Sequence, residues 1–103
     1  MLQEKTEKNY LMIRLPEEVD HHQALSIRRY ADCKILEDGV KDVIFDFEKT
    51  RIMDSSGIGL IMGRYRIIST FGGQIYVVNA NVRIKKLLLA AGLEKIVTFM
   101  NEK

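Results

Sequence analysis

The alternation of β-rich and helix-periodic segments constrains the fold of this chain more than any other feature. Four apolar segments that are rich in β-branched and aromatic residues are separated by three segments whose apolar residues recur at helical spacing. The predicted strands are residues 10–15, 42–47, 74–78 and 96–99, preceded by a short strand at 2–6 and a polar turn at 7–9. The predicted helices are residues 21–37, 56–70 and a segment from its cap Asn81 through Ala91. This order predicts an α/β fold: an open, mixed and largely parallel sheet with an N-terminal β-hairpin and helices packed on it.

Helix boundaries and buried faces can also be predicted. Asp20 is a suitable N-cap for the first helix and Gly39 a suitable C-terminal stop, while Gly72 and Gly73 follow the second helix. The predicted buried stripes are Ala24, Ile27, Ala31 and Ile35 in the first helix and Ile84, Leu87, Leu88 and Ala91 in the third.

The composition is that of one globular domain, which we predict to span residues 1–103. No uncharged stretch approaches the roughly 18 residues that span a bilayer, and the N-terminus lacks the apolar region of a signal peptide. The only cysteine, Cys33, cannot form an internal disulfide. The net charge is only +2, and the cluster Arg83, Lys85 and Lys86 has no interleaved aromatic residues. We therefore predict a cytoplasmic protein that binds neither nucleic acid nor membrane.

The segment from Glu48 to Gly59 contains the most unusual pattern, Met53-Asp54-Ser55-Ser56-Gly57-Ile58-Gly59. It follows a predicted parallel strand, and ligand sites collect at the carboxyl ends of such strands. One interpretation is structural: Asp54 or one of the serines caps the next helix, and the glycines permit close packing. The other is that a serine is chemically modified.

Catalytic and cofactor-binding interpretations of this segment fit poorly. Neither serine lies in a Gly-x-Ser-x-Gly elbow, and the only histidines are the adjacent pair His21 and His22. The glycine spacing does not match a dinucleotide fingerprint, and no Gly-Lys-Ser/Thr follows. On a helix the two histidines point about 100° apart, which disfavours a metal site. We predict no enzymatic activity, cofactor or metal, and a small nucleotide-binding domain or enzyme is a disfavoured alternative.

Phosphorylation fits the segment better. A phosphoserine carries a charge of about −1.5 to −2, which a helix N-terminus tolerates, while Asp54 beside it would repel that charge. Four apolar residues crowd the first turns of the following helix, namely Ile58, Leu60, Ile61 and Met62. Some of them should reach the surface as a partner site, although full burial is an open alternative.

The same residues resemble a known family. Met53-Asp54-Ser55-Ser56-Gly57-Ile58-Gly59, followed by Gly63-Arg64-Tyr65, is similar to the signature of STAS-domain anti-sigma factor antagonists, in particular the sporulation type. Supporting matches are Asp20-His21-His22, Gly72-Gly73-Gln74 and Ala91-Gly92-Leu93-Glu94-Lys95-Ile96. The chain departs from the family pattern at Glu17, where glycine is usual, and it ends before the family's usual fourth helix.

The resemblance implies a mechanism. The unphosphorylated protein would bind an anti-sigma factor that is also an ATP-dependent serine kinase, and so release a sigma factor, here sigma-F. The kinase would phosphorylate Ser55, and a serine phosphatase would reverse that step. A STAS scaffold or stress-response regulator that binds a different kinase is the first alternative. The predicted partner-binding residues are Asp20, His21, His22, Asp54, Ser56, Gly57, Ile58, Gly59, Ile61 and Met62.

Overall fold

The computed structural model describes residues 3–7 and 10–100. Within these ranges the strands are β1 (Gln3–Glu7), β2 (Tyr10–Arg14), β3 (Glu18–Val19), β4 (Asp42–Asp46), β5 (Ile52–Met53), β6 (Ile75–Val78) and β7 (Val97–Met100). The helices are α1 (His21–Asp38), α2 (Ser55–Ser69) and α3 (Val82–Ala90), with one 3₁₀ turn at Leu93–Lys95.

The five longer strands form one sheet in the order β1-β2-β4-β6-β7. β1 pairs antiparallel with β2, and the three remaining pairings are parallel. The predicted fold class is therefore confirmed: an open, mixed, largely parallel sheet with an N-terminal hairpin. Residues 8 and 9 of the predicted turn lie outside the described ranges. The connections β2–α1–β4, β4–α2–β6 and β6–α3–β7 each lead to the neighbouring strand, always in the same direction across the sheet. Because such connections are right-handed, all three described helices lie on one face of the sheet.

The core lies between that sheet face and the helices. Strand register aligns Leu11, Val43, Ile75 and Val97 in one row across the sheet, and all four are buried. A second row holds Ile13, Phe45 and Val77, which are 0–1% exposed. Alternate strand positions face the same side because side chains repeat every two residues. The apolar alternation therefore specifies register as well as burial.

Helix α1 follows the sequence prediction closely. Ala24, Ile27, Ala31 and Ile35 are buried. Asp20 accepts the backbone N–H of Gln23 at 2.9 Å, which is the expected N-cap hydrogen bond. The helix runs one residue beyond the prediction and ends at Gly39, whose φ of 70° is the left-handed conformation that glycine adopts without a Cβ penalty.

The prediction for α3 was partly wrong. Asn81 caps it through a 2.8 Å bond from the Ile84 N–H, and Ile84 and Leu88 are buried. Ala91, however, is exposed. The chain turns at Gly92 into the 3₁₀ turn, so Leu93 rather than Ala91 enters the core.

Two strands were not predicted. β3 and β5 have two residues each and form a separate parallel pair, with Glu18 opposite Ile52 and Val19 opposite Met53. Segments this short carry no readable alternation. They matter because each leads directly into a helix.

Candidate functional site

The parallel pair β3–β5 brings the N-termini of α1 and α2 together. Val19 is opposite Met53, and the N–H of Asp54 donates to the carbonyl of Val19 at 3.2 Å. The next residue on each strand, Asp20 and Asp54, is the N-cap of its helix. Two helix N-termini with their capping carboxylates therefore open on the same side of the molecule.

Ser55 is the first residue of α2, one residue earlier than predicted, and it is exposed. Ser56 is half-buried, and its N–H donates to Oδ1 of Asp54 at 2.8 Å. The structural interpretation of the segment is thus resolved in favour of Asp54 as the cap. Ser55 is left on the surface, exposed to solvent.

The electrostatics of this surface combine opposing contributions. The unsatisfied N–H groups at a helix N-terminus are equivalent to roughly half a positive charge, and exposed His21 and His22 occupy the first turn of α1. Asp20 and Asp54 are exposed carboxylates at the same ends. A phosphate on Ser55 would be favoured by its own helix dipole. It would also concentrate negative charge on a face that already carries two carboxylates.

The loop that carries Ser55 is held at several points. The buried hydroxyl of Thr50 donates to the carbonyl of Pro16 at 2.9 Å, and the side-chain amide of Asn81 donates to the carbonyl of Thr50 at 3.2 Å. The loop is thereby joined both to the segment before α1 and to the cap of α3. Because Pro16 and Asn81 adjoin other secondary-structure elements, these two hydrogen bonds fix the position of the loop.

Asp46 anchors the start of the same loop. Its side chain is nearly fully buried and accepts from the Glu48 N–H at 2.9 Å, the Asn79 side-chain amide at 3.0 Å and Nε of Arg14 at 3.3 Å. Asn79 has a φ of 62°, which is uncommon outside glycine and is best tolerated by Asn and Asp. Sequence reasoning missed Thr50, Asp46 and Asn79 as supporting residues. For Asp46 and Asn79 the available signal was a polar residue at the end of an apolar strand.

The predicted apolar docking face on α2 needs a correction. Ile61 is 0% exposed and Leu60 is also buried, so neither reaches the surface. Ile58 and Met62 are half-buried and pack against the core. Three helices cover one sheet face, which buries more of the circumference of α2 than its own sequence indicates. For Leu60 and Ile61 the alternative of full burial holds, and Ile61 offers no exposed surface to a partner.

An open groove of about 530 Å³ runs between α1 and α2 next to the site. Its lining includes His21 and Arg28 from α1 and Ser56, Gly59 and Gly63 from α2. A Cβ added at Gly59 or Gly63 would meet open space. The missing side chains therefore help keep this groove open.

A family comparison accounts for this arrangement. The STAS domain model matches residues 2–103. The chain belongs to the STAS family. An anti-sigma F factor antagonist of Paenibacillus polymyxa is 35% identical over 89 residues, which are 86% of this chain and 76% of that protein.

Two solved structures are similar to this STAS domain over its whole length. One is the anti-sigma factor antagonist SpoIIAA in its unphosphorylated form, with a TM-score of 0.83, 28% identity, and coverage of 100% of this chain and 90% of that chain. The other is the Bacillus cell fate determinant SpoIIAA in the phosphorylated form, with a TM-score of 0.83, 30% identity, and coverage of 100% and 92%.

The remaining predicted residues of the STAS site divide by exposure. Asp20, His21, His22, Asp54 and Gly59 are exposed, whereas Gly57 is buried.

Glu17, where glycine is usual, does not have a positive φ. Its carbonyl accepts the N–H groups of Arg51 and Ile52 at 2.8 and 3.2 Å. Since a backbone carbonyl makes these bonds, glutamate supports the Asp20 loop as glycine would.

No group of three or more His, Cys, Asp or Glu side chains suited to a metal ion occurs in the part of the chain that the structure describes. Among the same residues, no helix is long and apolar enough to cross a membrane.

Two of the three glycines of α2, Gly57 and Gly63, predict opposite responses to alanine. A Cβ at Gly57 would collide with the Sδ and Cγ atoms of Met53, whereas one at Gly63 meets nothing. Since alanine favours a helix interior over glycine, Gly63→Ala should raise the free energy of unfolding by about 0.5–1 kcal/mol. Gly57→Ala should lower it by about 1 kcal/mol, because Met53 must leave its packed position. Urea denaturation of both variants checks this, and equal gains would mean that Met53 moves aside at no cost.

Proposed function

We propose that this chain is an anti-sigma factor antagonist that is switched by phosphorylation of Ser55. In its unphosphorylated form it binds an anti-sigma factor that is also a serine kinase, and this binding releases a sigma factor. The observation that carries the proposal is an exposed serine at the first position of α2, on the same face as the α1 cap Asp20. The names of the similar proteins, anti-sigma F factor antagonist and SpoIIAA, support the class of partner and favour sigma-F as the factor released.

Exposure and helix position favour Ser55 over Ser56 as the phosphate acceptor. Ser55 is exposed, whereas Ser56 is half-buried beside the groove between α1 and α2. A kinase must bring the hydroxyl oxygen in line with the γ-phosphorus of ATP, which an accessible side chain at a helix start permits.

The proposed switch acts through charge and bulk on the docking face. A phosphate adds about −1.5 to −2 charges directly after Asp54, on the face where Asp20 and Asp54 cap the two neighbouring helices. A partner that fits the unmodified face then meets repulsion and a desolvation cost. A serine phosphatase that removes the group restores binding. The ATP in this scheme is bound by the kinase and not by this chain.

Mass spectrometry after incubation with ATP and the cognate anti-sigma factor kinase tests the proposal. We expect one added phosphate on Ser55 in the parent and in the Ser56→Ala variant, and none in Ser55→Ala. Phosphate that persists in Ser55→Ala, or a parent that stays unmodified by a kinase active on another substrate, would contradict it. The second outcome would favour a STAS scaffold with a different partner.

A further inference from the structure

A second groove, between β5 and α3, borders the Ser55 segment from the side away from α1. It has a volume of about 500 Å³ and is lined by Ile52, Met53, Arg83, Ile84, Lys86 and Leu87. The strand β5 continues directly into Asp54 and Ser55. The groove therefore adjoins the proposed docking face without being part of the surface formed by the two capped helices.

The groove combines an apolar base with a cationic rim. Ile52 is 43% exposed, so part of a large aliphatic side chain is open to solvent at the groove. Met53 and Leu87 are half-buried and Ile84 is buried, so the base continues into the core. Arg83 and Lys86 are exposed and stand three residues apart on α3, which aligns them along one side of the helix.

Lys85, the third member of the basic cluster, packs on an aromatic ring instead of lining the groove. Nζ of Lys85 lies 5.4 Å from the centroid of the Phe99 ring, on β7. The sequence cluster thus separates into a lysine packed on an aromatic ring and two cations that line the groove. No lining residue of this groove is acidic. Glu18, which pairs with Ile52, and Asp54, which follows Met53, are outside the lining.

We infer that this groove binds an acidic amphipathic segment of the anti-sigma factor partner, with one or two aliphatic side chains over Ile52 and carboxylates beside Arg83 and Lys86. Charge complementarity selects that occupant, because two cations flank a partly exposed apolar base and neither forms an ion pair within residues 10–100. Central apolar anchors within a charged rim are the usual arrangement of binding surfaces. This inference rests on the proposed function, since the occupant belongs to the same partner.

Met53 connects the groove to the phosphorylation site. Its side chain lines the groove and also packs so closely on Gly57 that a Cβ there would collide with it. Gly57 lies in the first turn of α2, two residues after Ser55. An occupant that presses on Met53 therefore acts on the turn that carries Ser55. The groove thus gives the partner a second contact besides the Ser55 face, and Met53 couples the two through the first turn of α2.

Affinity measurements on charge-reversed variants test the inference. We expect the double variant Arg83→Glu/Lys86→Glu to bind the anti-sigma factor at least about tenfold more weakly than the parent. Its affinity should also depend less on salt, because part of the electrostatic attraction is gone. The control is Arg29→Glu/Lys41→Glu, which changes the net charge equally at exposed residues outside the groove and should alter affinity less than about twofold. Ile52→Thr, which keeps a β-branched residue, should weaken binding without changing the salt dependence.

The outcomes separate this inference from the proposed function. Equal affinity of the charge-reversed variant and the parent, together with lost binding in Ser55→Asp, would reject the groove and leave the switch standing. A parent that does not bind the anti-sigma factor would reject both. Sedimentation velocity of the isolated chain addresses the other occupant: a dimer that the double variant abolishes would assign the groove to a second copy and overturn the inference.

Discussion

Replacement of Ser55 with aspartate is expected to lower the affinity for the anti-sigma factor by about tenfold or more, a loss of roughly 1.4 kcal/mol or more. The new carboxylate would stand at the first position of α2, beside the exposed cap Asp54 and near Asp20. The helix dipole favours a negative charge at this position by about 0.3–1 kcal/mol, so the isolated protein should be at least as stable as the parent. Isothermal titration calorimetry gives the affinity, and thermal unfolding gives the stability.

The matched control for this prediction is Ser26→Asp. Ser26 is an exposed serine on α1, so its replacement adds the same charge away from the first turn of α2. It should leave the affinity close to that of the parent, and Ser55→Ala should bind as the parent does while resisting release by the kinase and ATP. Equal affinities for Ser55→Asp and Ser26→Asp would mean that added charge at the start of α2 does not control docking.

Removal of the Asp32 carboxylate is expected to lower the stability of the fold far more than removal of a more exposed carboxylate on the same helix. Oδ1 of Asp32 lies 2.8 Å from Nε of Arg64, an ion pair that joins α1 to α2, and the two side chains are 27% and 6% exposed. Burial lowers the pKa of Arg64, and the neighbouring Asp32 opposes that shift. Arginine nevertheless stays charged at neutral pH. Asp32→Ala would leave a buried cation with the Leu60 carbonyl, 3.1 Å from Nη1, but without its counterion.

We expect Asp32→Ala to lower the free energy of unfolding by about 2–3 kcal/mol. This is less than the cost of breaking a fully buried ion pair, because Asp32 is partly exposed. For a domain of this size that corresponds to a melting temperature roughly 10–20 °C lower. The control is Asp38→Ala, which removes a carboxylate 3.3 Å from Lys34 in a more exposed pair on the same helix, with side chains 32% and 45% exposed. It should cost less than about 0.5 kcal/mol.

A rescue variant distinguishes a buried charge from lost packing. Asp32→Ala combined with Arg64→Met removes both charges and keeps a long apolar side chain, so it should recover part of the lost stability. If Asp32→Ala and Asp38→Ala cost the same, the pair between α1 and α2 is not buried enough to matter. If the double variant is the least stable of all, the packing of the arginine stem dominates.

The elements with long periodic patterns were predictable from the sequence, and the short ones were not. The α1 stripe from Ala24 to Ile35 repeats at helical spacing over three turns, so its burial follows from one periodicity. In the strand 42–47, Val43, Phe45 and Phe47 share one face and are all buried. The pair β3–β5 depends instead on hydrogen bonds between segments more than 30 residues apart. A two-residue strand has no period of its own, and only its partner defines it.

The candidate site divides in the same way. The motif Asp54-Ser55-Ser56-Gly57 carries its own helix start, since aspartate is a preferred N-cap, so a capped helix with an accessible serine is a local property. Which apolar residues of α2 are exposed is not local. Ile61 and Met62 are adjacent in the sequence, but Ile61 is fully buried whereas Met62 is half-buried. That difference depends on how α1 and the sheet pack around the helix.

By itself, the sequence determined the order of the helices and of the five longer strands, the largely parallel sheet and the presence of a serine at a helix start, because each of these follows from patterns within single segments. Only the tertiary structure decided that Asp20 and Asp54 cap neighbouring helices, that Asp46 and Thr50 hold the loop between them, and that Arg83 and Lys86 border an apolar groove. These relations join residues that are distant in the chain. They arise because folding buries the apolar rows of the sheet, and buried polar groups must then find partners among whatever segments packing has brought near.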